Sequence, residues 1–312
     1  MIFPKINRTI SQGRCFMSKK KTINKTTVQK KKKKPSKFSN LLWNLVFVVG
    51  FLVCMYPVFS NLMDHQAQYD AVHTYQEHIK ETKTDEIDNI IKDAKVYNKK
   101  IYEFQKTGKA DDDLSDLNYK SKLSIENSPV MGTIEIPKID VDLPIYHGTS
   151  DAVLSDGIGH LASSSLPVGG NNTRAVLTGH RGAPNAKLFT RLDELEKGDL
   201  FYIKVGNDTL AYKIYKIQTI KPSQVDRVKI EEGKDEVSLL TCTPYGISSH
   251  RLVVTGKRTK YVPEVKESIK KGIPSIRELA FTAAPVFLVG YFVTKSMYLR
   301  SRRKKRNRRL MR

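Results

Sequence analysis

The sequence predicts a mainly β fold, a barrel or sandwich over residues 131–260, with helices before it and an apolar helix at each flank. Three observations carry this. After Met131 come seven short runs rich in β-branched and aromatic residues, several of them alternating, with Gly, Pro, Asn and Asp clustered between them. Before them lies a long stretch without Gly or Pro, whose apolar residues recur at three- and four-residue spacing. Outside both lie two apolar segments, Leu41–Phe59 and Leu279–Leu299, of about the length that crosses a bilayer as a helix.

The flanking segments come first because they decide where everything else sits. Leu41–Phe59 carries no charge, and Trp43 and Tyr56 lie near its ends, where amphipathic rings favour the interface. In the second segment Lys295 snorkels to the headgroups. The formal net charge is +22, yet 25 of the 54 Lys and Arg residues and only one of the 32 Asp and Glu residues lie outside 61–270. That asymmetry places both basic termini in the cytoplasm and the near-neutral middle outside the cell. Basic runs that abut apolar spans answer to anionic lipid, so a nucleic-acid partner is excluded. The chain then divides into a basic cytoplasmic tail (1–40), a transmembrane helix (41–59), a helical segment and loop (60–130), the β domain (131–260), a linker (261–277), a second transmembrane helix (278–299) and a basic tail (300–312).

In the helical segment the apolar stripe is Ile87, Ile90, Ile91, Ala94, Tyr97, Ile101 and Phe104. His65, His73 and His78 have no acidic or cysteine partner at metal spacing and read as solvated helix-face residues. The following loop holds Asp111, Asp112 and Asp113, without the alternating ligands, glycine and terminal glutamate of a calcium loop. No metal site is predicted.

Compartment separates the three cysteines. Cys15 is cytoplasmic, Cys54 lies in the first span and Cys242 is outside, so no two form a disulfide within the chain. A lone extracytoplasmic thiol is unusual. Cys242 ends the run "EVSLLTC" and Arg251 begins "HRLVVTGKR", around a Pro-Tyr-Gly turn. Paired as an antiparallel hairpin, the two residues meet at one end of a sheet, with His250 on the opposite face from Arg251. A neighbouring guanidinium favours the thiolate and can donate to an oxyanion. The missing part is an acid/base, and His147, His160, His180 and His250 are the candidates.

The segments "TGHRG" (178–182) and "LLTCTPYGISSHRLVVTGKR" (239–258) resemble the sortase family of cell-surface transpeptidases. The stretches 131–150 and 159–170 are similar to its pilus-assembling class C. The resemblance implies a closed eight-stranded β-barrel, with Cys242 as nucleophile, His180 as acid/base and Arg251 stabilising the oxyanion or substrate. It implies cleavage of an LPxTG-like sorting signal between Thr and Gly through a Cys thioester. Transfer to a lysine amine of another pilin would follow, and no cofactor is needed. A housekeeping-type enzyme that joins proteins to peptidoglycan, a thiol protease and a non-catalytic barrel scaffold are the alternatives. Two departures from the family stand out. Ser238 occupies the usual threonine position of the cysteine motif. The loop that would form a class C lid lacks the Asp-Pro-aromatic tripeptide, which leaves Asp111, Asp112, Asp113, Asp116 and Tyr119 as candidate lid residues.

Overall fold

The computed structural model describes residues 37–108, 118–125, 128–182, 188–270, 272 and 276–310. Helix α1 (Lys37–Glu81) continues without a break out of the first apolar segment. Its buried residues Gln68, Val72, Tyr75 and Ile79 recur at helical spacing and form the face against the β domain. His73 is solvated and pairs with Glu77 at 3.5 Å. His78 departs from the solvated reading, because it is half-buried and its Nδ1 has no hydrogen-bond partner among the described residues.

Helix α2 (Thr84–Thr107) buries Ile87, Ala94, Tyr97 and Ile101, four residues of the predicted stripe. It stops at Gly108, whose left-handed backbone (φ 67°) turns its N–H back onto the Phe104 carbonyl. The polar residue on that face is Asn98. Its Nδ2 donates to the Leu166 carbonyl at 3.0 Å, and its Oδ1 accepts from the Leu166 N–H at 2.6 Å. One buried amide thus satisfies both backbone groups of a residue 68 positions away, as burial requires.

The β domain is a closed barrel of eight strands. They are β1 (Val130–Ile136), β2 (Val141–His147), β3 (Ile158–His160), β4 (Thr173–Thr178), β5 (Leu200–Val205), β6 (Asp208–Ile220), β7 (Asp235–Thr243) and β8 (His250–Thr259). Around the barrel the order is β1-β2-β3-β4-β7-β8-β6-β5, closing on β1. Seven strands coincide with the predicted runs. The eighth, β3, is three residues long with a glycine at its centre, too short for any alternation to show. Between β2 and β3 lies the short helix α3 (Asp151–Asp156), capped by the Ser150 hydroxyl. Between β4 and β5 the chain makes a 3-10 turn, Leu192–Glu194.

Alternation fills the barrel. Ile134, Leu143, Ile145, Leu177, Ile203, Val237, Leu239, Leu252 and Val254 belong to one buried apolar cluster. Burying each side chain stabilises the fold by about 1.5–3 kcal/mol. On the outer face of β4 and β7, Arg174 and Glu236 form an ion pair that is almost wholly buried. Arg174 Nη1 also donates to the Lys229 carbonyl at 2.6 Å, which fastens the β6–β7 connection to the wall.

The residues read as a linker pack on the barrel. Helix α4 (Pro263–Ser268) places Lys266 against Glu135 at 2.6 Å. Helix α5 (Ile276–Leu310) holds the second apolar segment and continues through most of the basic run. Among the described residues no helix is long and apolar enough to cross a membrane. The rings of Phe47 in α1 and Phe292 in α5 stack with centroids 4.0 Å apart.

Candidate functional site

Three neighbouring strands, β4, β7 and β8, assemble the site. β4 and β7 are parallel, with Thr178 opposite Leu240. The Gly179 N–H donates to the Leu240 carbonyl at 3.1 Å and closes that ladder. Two residues on from the last registered pair stand His180 and Cys242. β7 and β8 are antiparallel, with Cys242 directly opposite Arg251. Cys242 and Arg251 therefore stand side by side on neighbouring strands about 5 Å apart, and His180 follows the end of β4 at the same end of the sheet. Directly paired residues share a face, so the Cys242 and Arg251 side chains stand on the same side of the sheet. Val237 and Leu239 point into the core, and alternation along β7 puts Cys242 on the outer wall. All three residues are partly exposed.

Side-chain ties hold this site from behind. The Thr241 hydroxyl donates to the Gly179 carbonyl at 2.7 Å. Arg181 Nη1 donates to the Thr243 hydroxyl at 3.0 Å, and its Nη2 pairs with Asp193. The His180–Cys242 pair thus lies between two bonds that join the same two segments. Gly179 has to be glycine there, because a Cβ would meet Ile158 at 2.7 Å and the Phe189 ring at 3.0 Å. At Gly182 the backbone is left-handed (φ 79°), and a Cβ would strike the Tyr245 ring at 2.6 Å. The turn after His180 and the turn after Cys242 therefore sit against each other. Arg251 Nη1 donates to the carbonyls of Ser248 and His250, at 3.0 and 3.1 Å. Its Nε and Nη2 make no hydrogen bond among the described residues.

The other histidines are elsewhere. His250 lies on the opposite face from Arg251, with Nδ1 at 2.9 Å from the Ser249 hydroxyl. His147 and His160 end β2 and β3, which run against β4 and so lead away from Cys242. Burial lowers the His147 pKa, and its Nε2 is 2.6 Å from the Lys122 carbonyl. His160 is fully buried, and desolvation pushes its pKa down to about 4. It stays neutral at physiological pH.

Of the candidate lid residues, Asp111, Asp112, Asp113 and Asp116 lie outside the described residues. Tyr119 is described, and its contacts are with β2 and β3. Its hydroxyl is 2.9 Å from His160 Nδ1, donates to the His160 carbonyl at 3.0 Å and accepts from the Gly148 N–H at 3.0 Å. Its ring stands edge-on to His147. Burial raises the phenol pKa. Tyr119 thus fastens the C-terminal foot of that loop to the barrel.

Sequence reasoning missed Arg181, Asp193, Thr241 and Thr243. Arg181 was inside a quoted motif, and strand alternation alone would have set it behind His180. Asp193 comes from a separate turn, and no sequence pattern joins the two. Among the described residues no group of His, Cys, Asp and Glu could hold a metal ion. A thiol, an imidazole and a guanidinium on one open wall are the components of nucleophilic acyl transfer.

Comparison with known proteins agrees with this chemistry. A Sortase domain family model matches residues 134–259. Sortase D of Bacillus subtilis (strain 168) is 32% identical over 180 residues, covering 57% of this chain and 85% of that protein. The crystal structure of sortase C1 from Streptococcus agalactiae superposes with a TM-score of 0.58 at 42% identity, covering 62% of this chain and 100% of that one. Sortase C of Clostridium perfringens, solved with the C-terminal cell wall sorting motif, gives a TM-score of 0.55 at 43% identity, with 62% and 100% covered.

Proposed function

The chain belongs to the sortase family of cysteine transpeptidases, and from that premise we propose that it polymerises pilins at the cell surface. In this reading it is anchored by two spans, with both termini cytoplasmic and the barrel extracellular. The substrate is an LPxTG-like sorting signal, and the acceptor is a lysine amine of a second pilin. The observation that carries the chemistry is the Cys242–Arg251 pair on the outer wall, with His180 just past the end of the neighbouring strand β4. The pilus assignment draws on the class C structures and their identities near 40%. The stacked Phe47 and Phe292 rings support a pair of membrane helices.

The reaction follows from this arrangement. Cys242 Sγ, as thiolate, attacks the Thr carbonyl carbon, and a C–S bond forms. Arg251 donates to the oxygen that gains charge. The C–N bond to Gly breaks as His180 gives its proton to the leaving amine. The acyl group remains as a thioester on Cys242. The lysine amine then attacks the thioester carbonyl and gives its proton to His180. An isopeptide C–N bond forms, the C–S bond breaks, and the thiolate returns.

Intact-mass measurement of the full chain in detergent, after incubation with an LPxTG-type peptide, tests the first half. The expected result is a gain equal to the acyl fragment, absent from Cys242→Ala. An equal adduct on Cys242→Ala would overturn the assignment. Offering lysine and oligoglycine acceptors to the loaded enzyme tests the second half. Preference for lysine is the pilin-joining result, and preference for oligoglycine would assign wall anchoring instead.

A further inference from the structure

The two flanking helices meet the domain at one end of the barrel, and that end carries Cys242. Strand directions establish this. β1 is antiparallel to β2, β2 is parallel to β3, and β3 is antiparallel to β4, so β1 and β4 point the same way. β7 is parallel to β4. The C-terminal ends of β1, β4 and β7 therefore open on one rim, the Cys242 rim. The turn Pro137–Ile139, directly after β1, lies on it.

α1 enters at this rim. Gln68, Tyr69 and Val72 line one cavity with Pro137 and Asp140. Further along α1, the Tyr75 hydroxyl is 3.5 Å from the Met131 carbonyl and accepts from the Gly206 N–H at 3.1 Å. Met131 lies near the start of β1 and Gly206 lies in the β5–β6 turn, so both belong to the opposite rim. The C-terminal connection reaches the Cys242 rim by a longer route. β8 runs against β7 and finishes on the opposite rim at Thr259. The chain then returns along the outside, held where Lys266 pairs with Glu135 and where the Gly272 N–H donates to the Lys138 carbonyl at 2.8 Å. A Cβ on Gly272 would stand 2.6 Å from that carbonyl oxygen. A close backbone contact thus fixes the last step onto the rim.

The distances to the apolar segments are short. From Gln68 back to Phe59 is about 14 Å of helix. From Gly272 to Ile276, the first residue of α5, is at most about 14 Å of chain. The headgroup layer on each side of a bilayer is itself about 5–8 Å deep. On the same rim the β7–β8 turn carries two apolar side chains into solvent, Tyr245 at 44% exposure and Ile247 at 72%.

We propose that the Cys242 rim faces the bilayer, with the β7–β8 turn at the lipid headgroups and the opposite rim directed away from the membrane. The surface it docks on is the headgroup layer. The proposal rests on the two-span anchoring given above. It means that the scissile bond and the acceptor amine meet Cys242 at the membrane surface.

Depth-dependent fluorescence quenching tests this on the full chain. Trp43 is the chain's one tryptophan, so Trp43→Phe provides a silent background. Ile247→Trp then reports the Cys242 rim, Lys270→Trp the returning segment, and Asn207→Trp the opposite rim. Each variant is reconstituted in phosphatidylcholine/phosphatidylglycerol vesicles carrying a nitroxide on the phosphatidylcholine headgroup. The expected result is quenching at 247 and 270 at least threefold stronger than at 207. Equal or reversed quenching, in protein that stays in the vesicles through an alkaline carbonate wash, would overturn the orientation and leave the anchoring intact. Release of the protein by that wash would remove the anchoring itself, and the orientation with it.

Discussion

Cys242 and Arg251 are nine positions apart, and a hairpin is enough to bring them face to face. That half of the site was readable from the sequence, because turn residues between two alternating runs imply antiparallel pairing. His180 was not separable by spacing from His147, His160 and His250. Its place beside Cys242 depends on the parallel pairing of β4 with β7, which joins segments about 60 residues apart and leaves no local signature. The resemblance supplied what periodicity could not. Arg251→Lys keeps the charge and loses the planar fork. Single-turnover kinetics should show acylation slowed about 100-fold or more, with peptide affinity little changed. His160 gives a prediction about pH. Its folded pKa, about 4, lies below the ordinary value of 6.5. Between those values the unfolded chain binds the proton and the folded chain does not, so stability is full above pH 6.5 and declines as pH falls towards 4. The loss through this one group is about 3 kcal/mol. Urea unfolding at a series of pH values should show that component in the wild type and lack it in His160→Gln. An unchanged slope in the variant would mean that other groups carry the acid sensitivity.

Among the elements, the long helices α1, α2 and α5 and seven strands were legible because each is long enough to show its period, whereas the six-residue α3 and α4 were not. β3 was not, since three residues around a glycine carry no pattern, and it is defined by its pairing with β2 and β4. The 261–277 segment was read as a linker returning to the membrane. It docks through the Lys266–Glu135 ion pair, the Tyr261–Tyr202 ring contact and the Gly272 backbone hydrogen bond, none of which composition reveals. α2 was legible as a helix, but the clamp it makes was not. Asn98 stands within the apolar stripe, where a polar residue looks like a flaw until its two partners on Leu166 are known. Asn98→Ala leaves a buried N–H and a buried carbonyl without partners. It should cost about 2–4 kcal/mol, seen as a lower urea midpoint with an unchanged slope. A loss under 0.5 kcal/mol would mean that water takes over both bonds.

At the scale of the whole molecule, charge is distributed by position more than by amount. Basic residues crowd the two ends while the middle is near neutral, and the proposed topology follows from that contrast alone. Replacing the Lys and Arg residues of 300–309 by Gln should lower the share of molecules whose C-terminus is cytoplasmic. Protease accessibility of a C-terminal tag, compared in intact cells and inverted vesicles, reads that share directly. No change would mean that the first span alone sets the topology. The outer wall has a consequence of another kind. The β6–β7 connection is fastened by Arg174, through the Lys229 carbonyl and Glu231, beside Glu236. Glu236 is six positions down β7 from Cys242, about 20 Å away. At its other end the same connection leaves β6 at Ile220, directly opposite Arg251, so it runs from the site to that anchor. The connection is therefore a strap along the outer wall, tied at Arg251 and again at Arg174. An engineer who regrafts that stretch to suit a new pair of proteins has to preserve the Ile220–Arg251 register, or the bond-forming machinery shifts with it.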